Sequence, residues 1–293
     1  MIKHLKRKDL EVEKYDYCIE NSVQSRIYAF SWYLDIVADN WCVLVLNDYE
    51  AVMPLPWKRK YGIKYVYPPF WVLELGVFSL EKQVAMQLFY TVLFKKFRFI
   101  ETRLNTANKL YDSSSNFITK EMQVLPLEEE YATISNKYRK DRKKDLHKAN
   151  KFCLVEKDTN KAEVLIDLFK NNVGKRTPKI VENDYSNLKK IIEVCLEKKV
   201  GELLSIYDNE NNLVAAGFFL KHKKVVTILV SSTDFNNRNN GANTFLIDRA
   251  IYKYQNNFDV FNFGGSSIKS IANYFFSFGA QNRQYDYLKR ILL

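Results

Sequence analysis

The 293-residue chain is predicted to be an α/β protein with mixed sheets, built from two domains in tandem. The length is more than one small core needs and fits two domains of about 130–160 residues each. The apolar share of 47%, close to that of folded soluble chains, argues against disorder. The two halves also share a similar order of elements, although no residue-level repeat is visible.

The N-terminal half supplies the weaker copy of this order. It predicts a helix at 26–39, a hairpin formed by 41–48 and 51–57, an extended segment at 65–78, a helix capped by Ser79 and running to about Phe97, and a strand at 97–104.

The C-terminal half supplies the clearer copy. It predicts a basic helix at 134–151, a helix starting at Asn160 with Glu163, a helix capped by Asp184, strands at 202–208, 213–221 and 225–231, a loop at 232–243 leading into a helix, a strand at 258–263, a helix at about 267–277 and a last strand at 285–292. The sequence therefore predicts domains at 1–133 and 134–293, although no Pro/Gly-rich linker marks the boundary.

The charge balance gives the chain a net +11, from 45 Lys plus Arg against 34 Asp plus Glu. Such an excess favours an anionic partner, namely nucleic acid, a phosphate-bearing cofactor or an acidic membrane surface. The alternative is a composition that only keeps the protein soluble. A stretch within 139–151 carries seven cations and two carboxylates, and it fits either a phosphate backbone or a solvated helix face.

The four cysteines and three histidines show no ligand spacing, so neither a disulfide framework nor a metal site is expected. The charged first ten residues lack the apolar core of a signal peptide, and no stretch reaches about 20 apolar residues. The expected location is the cytoplasm.

The loop at 232–243 is the most informative segment for function. A strand runs into an Asn- and Gly-rich turn and then directly into a helix, which aims backbone N–H groups at one spot and favours an anion. Gly241 permits close backbone approach, and Arg238 adds a guanidinium for phosphate.

This loop reads R-N-N-G-A-N from Arg238 to Asn243, and it resembles the [Q/R]-x-x-G-x-[G/A] turn of GNAT acyltransferases. Asn243 stands where that turn has Gly or Ala. The segments 138–158 and 258–280 resemble FemAB-like proteins, the latter through N-F-G-G and F-F-S-F-G in place of D-F-G-G and F-K-x-F-G. The chain is therefore similar to the FemAB-like branch of the GNAT acyltransferases over about residues 134–290.

The resemblance implies tandem GNAT-like domains, the first a candidate for acceptor binding and the second carrying the acyl transfer. It implies three groups of site residues. The coenzyme-binding group is Arg238, Asn240, Gly241, Ala242 and Asn243; the substrate-binding group is Trp32, Tyr33, Arg176, Asn262 and Gly264; and the catalytic candidates are Tyr274, Asp234 and Asp259. Tyr274 is chosen as the neighbour of Phe275, which occupies the position of the GNAT catalytic tyrosine.

The function expected from this resemblance is N-acyl transfer, with no tightly bound cofactor. The donor is acyl-CoA or aminoacyl-tRNA, and the acceptor is a primary amine of an amino sugar or a cell-wall precursor. Two other classes stay open: a catalytically weak binding module on the same fold, and a nucleic-acid-binding protein that uses the basic helix.

Overall fold

A computed structural model describes residues 1–82, 84–108, 117–159, 161–264 and 268–291. Its contacts divide the chain into two compact units. Unit 1 is Met1–Lys120 with Gln284–Leu293, and unit 2 is Glu121–Arg283. The sequence places 121–133 with the first domain and the last ten residues with the second, whereas the contacts place each of these segments with the other unit.

The elements of the first 120 residues are β1 Ile2–Lys6, α1 Val12–Asn21, α2 Ser31–Val37, β2 Trp41–Leu46, β3 Ala51–Lys60, β4 Ile63–Val66, β5 Phe78–Ser79, α3 Met86–Lys96 and β6 Phe99–Arg103. The later elements are β7 Phe117–Pro126, α4 Tyr131–Asn136, α5 Lys140–Lys151, β8 Val155–Asp158, α6 Ala162–Asn171, α7 Glu182–Glu197, β9 Gly201–Tyr207, β10 Leu213–His222, β11 Val225–Thr233, α8 Ala242–Tyr254, β12 Val260–Asn262, α9 Lys269–Phe276 and β13 Gln281–Ile291. Short 3₁₀ turns occur at Arg7–Asp9, Ile27–Ala29, Gly174–Arg176 and Phe235–Asn240.

The sheet of unit 1 has the strand order β1-β2-β3-β4-β6-β13. Its neighbouring pairs are antiparallel except for β4 and β6, which run parallel across α3. The β2–β3 hairpin confirms the predicted hairpin, with Trp41 opposite Pro56 and Leu46 opposite Ala51. The mixed sheet of the predicted α/β class is therefore present in this unit.

The sheet of unit 2 repeats that plan with the order β8-β9-β10-β11-β12-β7. Among the described strand pairs of this unit, β11 and β12 alone run parallel, and α8 forms the crossover between them. The predicted meander is confirmed, because β9, β10 and β11 pair in antiparallel succession. A parallel pair with one crossover helix therefore lies inside each sheet.

The core of unit 2 forms where α8 covers β9, β10 and β11. Leu246, Ile247, Ala250 and Ile251 are at most 2% exposed, which confirms the apolar spacing predicted for this helix. Burial of a Leu or Ile side chain contributes about 1.5–3 kcal/mol, so this face holds the helix on the sheet.

The core of unit 1 forms around α3, whose Phe89, Tyr90 and Leu93 are buried against the sheet. The helix begins at Met86, so the prediction of a cap at Ser79 is wrong. Ser79 lies in β5, where it pairs with Ala51 and is 1% exposed. Because Ser79 is paired in a strand seven residues before α3, it cannot cap that helix.

The basic segment at 134–151 is two helices rather than one. The first helix, α4, ends at Asn136, and Arg139, with the extended backbone angles φ −63° and ψ 157°, lies directly before the start of α5. The break lets Tyr138, which is 3% exposed, enter the core and pack edge-on against Phe278. Packing of one aromatic ring therefore overrides local helix propensity here.

Two other predicted helix starts and ends shift. The helix expected at 26–39 is a 3₁₀ turn at Ile27–Ala29 followed by α2. Asp184 is the third residue of α7 and accepts the Val181 N–H at 2.9 Å, so it caps by reaching back. Asn160 lies outside the described residues.

Candidate active site

The parallel strands of unit 2 part along their length. β11 pairs with β12 only from Val225 to Thr227, opposite Val260 to Asn262. After Asn262 the chain turns toward β7, and the Phe263 N–H donates to the Gln123 carbonyl at 3.1 Å. Within the described residues, the edge of β11 from Ile228 onward therefore has no strand partner on this side.

A bulge marks the point where the strands part. In the β10–β11 ladder Phe219 lies opposite Ile228 while Phe218 lies opposite Val230, so Leu229 is the extra residue. Bulges bend a strand and turn its backbone groups out of the ladder. The opened strand thus offers backbone N–H groups that could hold an oxygen carrying negative charge.

Several backbone N–H groups in and directly after the loop between β11 and α8 already have hydrogen-bond acceptors in the protein. The Asp234 carboxylate accepts the Asn236 N–H at 3.0 Å, and the Asn172 side chain accepts the Phe235 N–H at 2.7 Å. The Asn240 side chain accepts the Ala242 N–H at 2.9 Å. The backbone donors predicted to cradle an anion are therefore partly used within the loop.

Gly241 is the point of closest approach, but its neighbour is protein. It has a φ of +80°, and a Cβ there would lie 2.2 Å from the Asp145 carbonyl oxygen of α5. The glycine is therefore needed to seat the loop against α5. The Asp145 carbonyl lies against Gly241 on the side where a Cβ would stand, whereas the sequence predicts the close approach of a phosphate to this residue.

A polar cluster covers the first turn of α8. The Asn243 amide donates to the Tyr274 hydroxyl at 2.8 Å, and the Thr244 hydroxyl lies 3.3 Å from the same oxygen. Thr244 also donates to the Asp145 carboxylate at 3.1 Å and accepts from Arg142 at 2.6 Å. Arg142 pairs with Asp145 at 2.9 Å and stacks on the Tyr274 ring at 4.5 Å.

Tyr274 is held protonated in this cluster. Burial raises the pKa of Tyr274 to about 12, while its hydrogen bond to Thr244 and the Arg142 charge oppose the shift. At neutral pH the hydroxyl therefore carries its proton. That protonation state suits a general acid and does not suit a general base.

Comparisons with known proteins were made against families, curated sequences and solved structures. No family model matches the sequence, and no curated protein matches it significantly. The chain is similar to the crystal structure of FemX, with a TM-score of 0.67 at 11% identity over 98% of this chain and 97% of that one. It also resembles an acetyltransferase from the GNAT family of Colwellia psychrerythraea, with a TM-score of 0.58 at 12% identity over 100% of both chains.

A tandem GNAT protein from the clavulanic acid biosynthesis pathway superposes with a TM-score of 0.54 at 7% identity, covering 98% of each chain. The chain has the FemAB-like GNAT-type fold. This confirms the fold predicted from the Arg238–Asn243 turn and the 258–280 segment, and at such identities it is the fold alone that the likeness establishes.

Within this GNAT-type fold, Arg176, a predicted substrate-binding residue, lies against the loop. Its guanidinium stacks on the Phe235 ring at 4.4 Å, and Phe235 begins the 3₁₀ turn of the loop. The side chain of Arg238 lies outside the described part of the structure. Gly264 has a φ of +77°, and its N–H donates to the Asn262 side chain at 2.9 Å.

Asp259 lies away from the loop. It precedes β12, and its N–H donates to the Lys224 carbonyl before β11 begins. The loop leaves the other end of β11, about 27 Å away at 3.3 Å per residue. The structure therefore does not bring Asp259 together with Asp234, and Asp234 is engaged as the cap of the 3₁₀ turn.

Trp32 and Tyr33 lie on α2 of unit 1. Tyr33 is fully buried, and its hydroxyl donates to the Trp71 carbonyl at 2.6 Å. The Trp32 ring stacks with Phe30 at 6.4 Å. Tyr33 therefore packs the core, and contact with a substrate is open only to the partly exposed Trp32.

Sequence reasoning missed Arg142, Asp145, Asn172 and Thr244. The sequence suggests that Arg142 and Asp145 belong to a charged helix face, yet Arg142 is only 11% exposed. Their spacing of three along α5 is the one available signal, because it lets both face α8. Within the described residues no cluster of three or more His, Cys, Asp or Glu could hold a metal, and no helix is long and apolar enough to cross a membrane.

Proposed function

We propose that the chain transfers an acyl group to a primary amine, with the reaction at the opened end of β11 and β12. The observation that carries the proposal is the parting of this parallel pair at the Leu229 bulge, beside a loop that runs into a helix N-terminus. Ligands of open α/β sheets bind beyond the carboxyl ends of parallel strands, where these elements converge. The GNAT-type fold supports the same reaction class.

In the proposed step, the amine nitrogen attacks the acyl carbonyl and a new C–N bond forms. Backbone N–H groups along β11 hold the oxygen as it gains charge. The C–S bond of a thioester, or the C–O bond of an aminoacyl ester, then breaks. Tyr274 gives its proton to the departing sulfur or oxygen and regains one from solvent, and water takes the proton lost by the amine.

The proposed donor is either acyl-CoA or aminoacyl-tRNA. The Arg238–Asn243 turn favours acyl-CoA, whereas the Asp145 carbonyl against Gly241 disfavours a pyrophosphate in that place. The basic composition suits either donor. The proposed acceptor is an amino sugar, a cell-wall precursor or another small amine.

A donor-binding experiment tests the proposal first. The melting temperature is recorded against acetyl-CoA and longer acyl-CoAs, and product formation from acyl-CoA or from mixed aminoacyl-tRNA is followed by mass spectrometry with glucosamine or an amino-sugar library. A ligand that binds the folded state raises the melting temperature by mass action. At a ligand concentration a hundredfold above Kd, the free energy of unfolding rises by about 2.7 kcal/mol.

The variant Tyr274→Phe separates binding from chemistry. We expect turnover to fall about 100-fold while donor affinity changes little, as for a general acid. Tyr252→Phe on α8, where the side chain is 48% exposed, is the matched control and should keep full turnover. Equal turnover for Tyr274→Phe and wild type would remove the proposed acid.

A catalytically weak binding module is the second candidate. The self-satisfied loop and the α5 backbone against Gly241 favour it, because both close the place where a donor would sit. If no donor binds and no product forms with any acceptor tried, this second candidate becomes the better account of the molecule.

A further inference from the structure

An exposed apolar surface lies at one end of the unit 1 sheet, on the β3–β4 hairpin and the strands beside it. We call it the hairpin patch, formed by Tyr61, Ile63, Tyr65, Phe99 and Ile291. Tyr65 pairs with Phe99, and Phe99 pairs with Ile291, so these three side chains share one face of the sheet.

The patch is open to solvent. Tyr61 is 90% exposed, Ile63 46% and Ile291 58%. A shallow depression of about 410 Å³ is lined by Tyr61, Ile63, Tyr65 and Phe99, with Lys60 at its rim. Contiguous exposed apolar surface bordered by charge marks an interaction site more often than scattered single residues do.

The backbone of Tyr61 at the tip of the hairpin is in a strained conformation. Tyr61 has a φ of 50° and Gly62 a φ of 79°, so both central residues of the two-residue turn are left-handed. Such turns favour Asn or Gly at the first position, and a bulky side chain there is strained. Since Tyr61 is almost fully exposed, packing within unit 1 does not compensate for the strain.

Cations surround the patch. Lys58, Arg59, Lys60 and Lys64 all lie on the same hairpin, and Lys60 lies 5.3 Å from the Tyr61 ring centre. The carboxylate of Asp39 forms an ion pair with Lys58 at 3.1 Å, and Glu101, opposite Lys289 in the β6–β13 ladder, accepts the Tyr287 hydroxyl. The hairpin therefore stays strongly positive at its tip.

The side chains of the hairpin patch fit one kind of partner better than the others. Aromatic rings beside lysines can stack on nucleic-acid bases, but the aliphatic Ile63 and Ile291 cannot. A second copy of the chain would bring lysines against lysines, which repel. Tyrosine and aliphatic side chains rimmed by Lys and Arg match the headgroup region of a bilayer that carries negative lipids.

We propose that the hairpin patch docks the protein on an anionic lipid bilayer. Tyr61 and Ile63 enter the interface at the hairpin tip, and the surrounding cations contact lipid phosphates. The inference is independent of acyl transfer, because it uses no donor, no acceptor and no residue of unit 2.

Vesicle co-sedimentation tests it. Wild-type protein is spun with vesicles of about 70% phosphatidylcholine and 30% phosphatidylglycerol, and separately with pure phosphatidylcholine. We expect binding to the anionic vesicles only, and an about tenfold weaker partition for Tyr61→Ser/Ile63→Ser. Melting temperatures confirm that the variants fold.

The matched control is Tyr17→Ser/Val23→Ser, which removes exposed apolar side chains (63% and 59%) elsewhere in unit 1. It should bind like wild type, whereas Lys60→Gln/Lys64→Gln should lose most binding to the anionic vesicles. Equal partition of the Tyr61/Ile63 variant and wild type would overturn the proposal. So would binding of a short single-stranded RNA by wild type without vesicle binding, or a self-association of wild type that the Tyr61/Ile63 variant abolishes.

Discussion

Units 1 and 2 have the same strand order and the same single parallel pair, yet they differ in the connection that leaves the first strand of that pair. In unit 1 the chain runs from β4 through residues 67–85, past Pro68 and Pro69 and through β5, before α3 begins. In unit 2 it passes from β11 to α8 through one 3₁₀ turn and Gly241.

This difference sets apart the unit that carries the candidate site. Only the short connection delivers a left-handed glycine and a helix N-terminus directly at the end of the parallel strand. Residues of the longer connection pair with a strand and pack in the core, as the burial of Ser79 in β5 shows. The two units therefore differ at the candidate site in the length and composition of one loop.

The largest expected effect is a difference in unfolding free energy between alanine variants of two glycines that have nearly the same φ. Gly241→Ala should lower the unfolding free energy by about 3–4 kcal/mol, because the new Cβ meets the Asp145 carbonyl and the left-handed backbone is strained as well. Gly62→Ala in the unit 1 hairpin, with nothing within 4 Å, should lose only about 1–2 kcal/mol. Urea unfolding of both variants measures the difference, and similar losses would mean that α5 yields readily.

Replacing each of two buried carboxylates by its amide should change the free energy of unfolding by very different amounts. Glu74 of unit 1 pairs with Arg26, so Glu74→Gln leaves a guanidinium without its counter-ion and should lose about 2–3 kcal/mol. Asp248 of unit 2 accepts the Tyr131 hydroxyl at 2.7 Å, a bond that an asparagine oxygen can also accept. Asp248→Asn should therefore stay within about 0.5 kcal/mol of wild type at pH 7, and urea unfolding of the two variants checks the contrast.

The pH dependence of Asp248→Asn sharpens this contrast. Burial raises the pKa of Asp248, although the hydrogen bond from Tyr131 opposes the shift. Between the ordinary carboxyl pKa and the raised value the folded state binds more protons than the unfolded state, so wild-type stability falls as pH rises. The variant lacks that fall, and its stability relative to wild type should increase from about pH 3 to pH 7. A constant difference across this range would contradict the expected shift.

The smallest effect concerns two tyrosine hydroxyls. Tyr274→Phe removes the partner of Asn243 and Thr244 and should lose about 1 kcal/mol. The Tyr90 hydroxyl in unit 1 is buried and has no hydrogen-bond partner among the described residues, so Tyr90→Phe should be neutral or slightly stabilising. Thermal unfolding of the two variants side by side checks the order, which would be reversed if the Tyr274 cluster were loosely held.

Local periodicity was enough to predict the meander of unit 2, the β2–β3 hairpin and the apolar face of α8. These features depend on neighbours a few residues apart, which the sequence displays directly. The break at Arg139 and the pairing of Ser79 with Ala51 depend on burial of Tyr138 and on a partner strand far along the chain. Such tertiary contacts override local preference and leave no local signal.

The sequence indicates where the candidate site lies, but not the side-chain contacts within it. The Asn- and Gly-rich turn indicated its position, and Tyr274 was found beside it. The contacts that decide its state join Arg142 and Asp145 to Thr244 across about a hundred residues. A charge pattern along one helix cannot tell which of its cations turn inward.

The last strand of the unit 1 sheet comes from a distant part of the chain. This sheet ends with β13, whose residues 287–291 pair with β6 after all of unit 2 has intervened. On a ribosome, where domains usually fold as they emerge, the sheet of the first unit can therefore close only after residues 287–291 have been made. Until then β6 presents an unpaired edge in the nascent chain, which gives chaperones a defined segment to protect during synthesis.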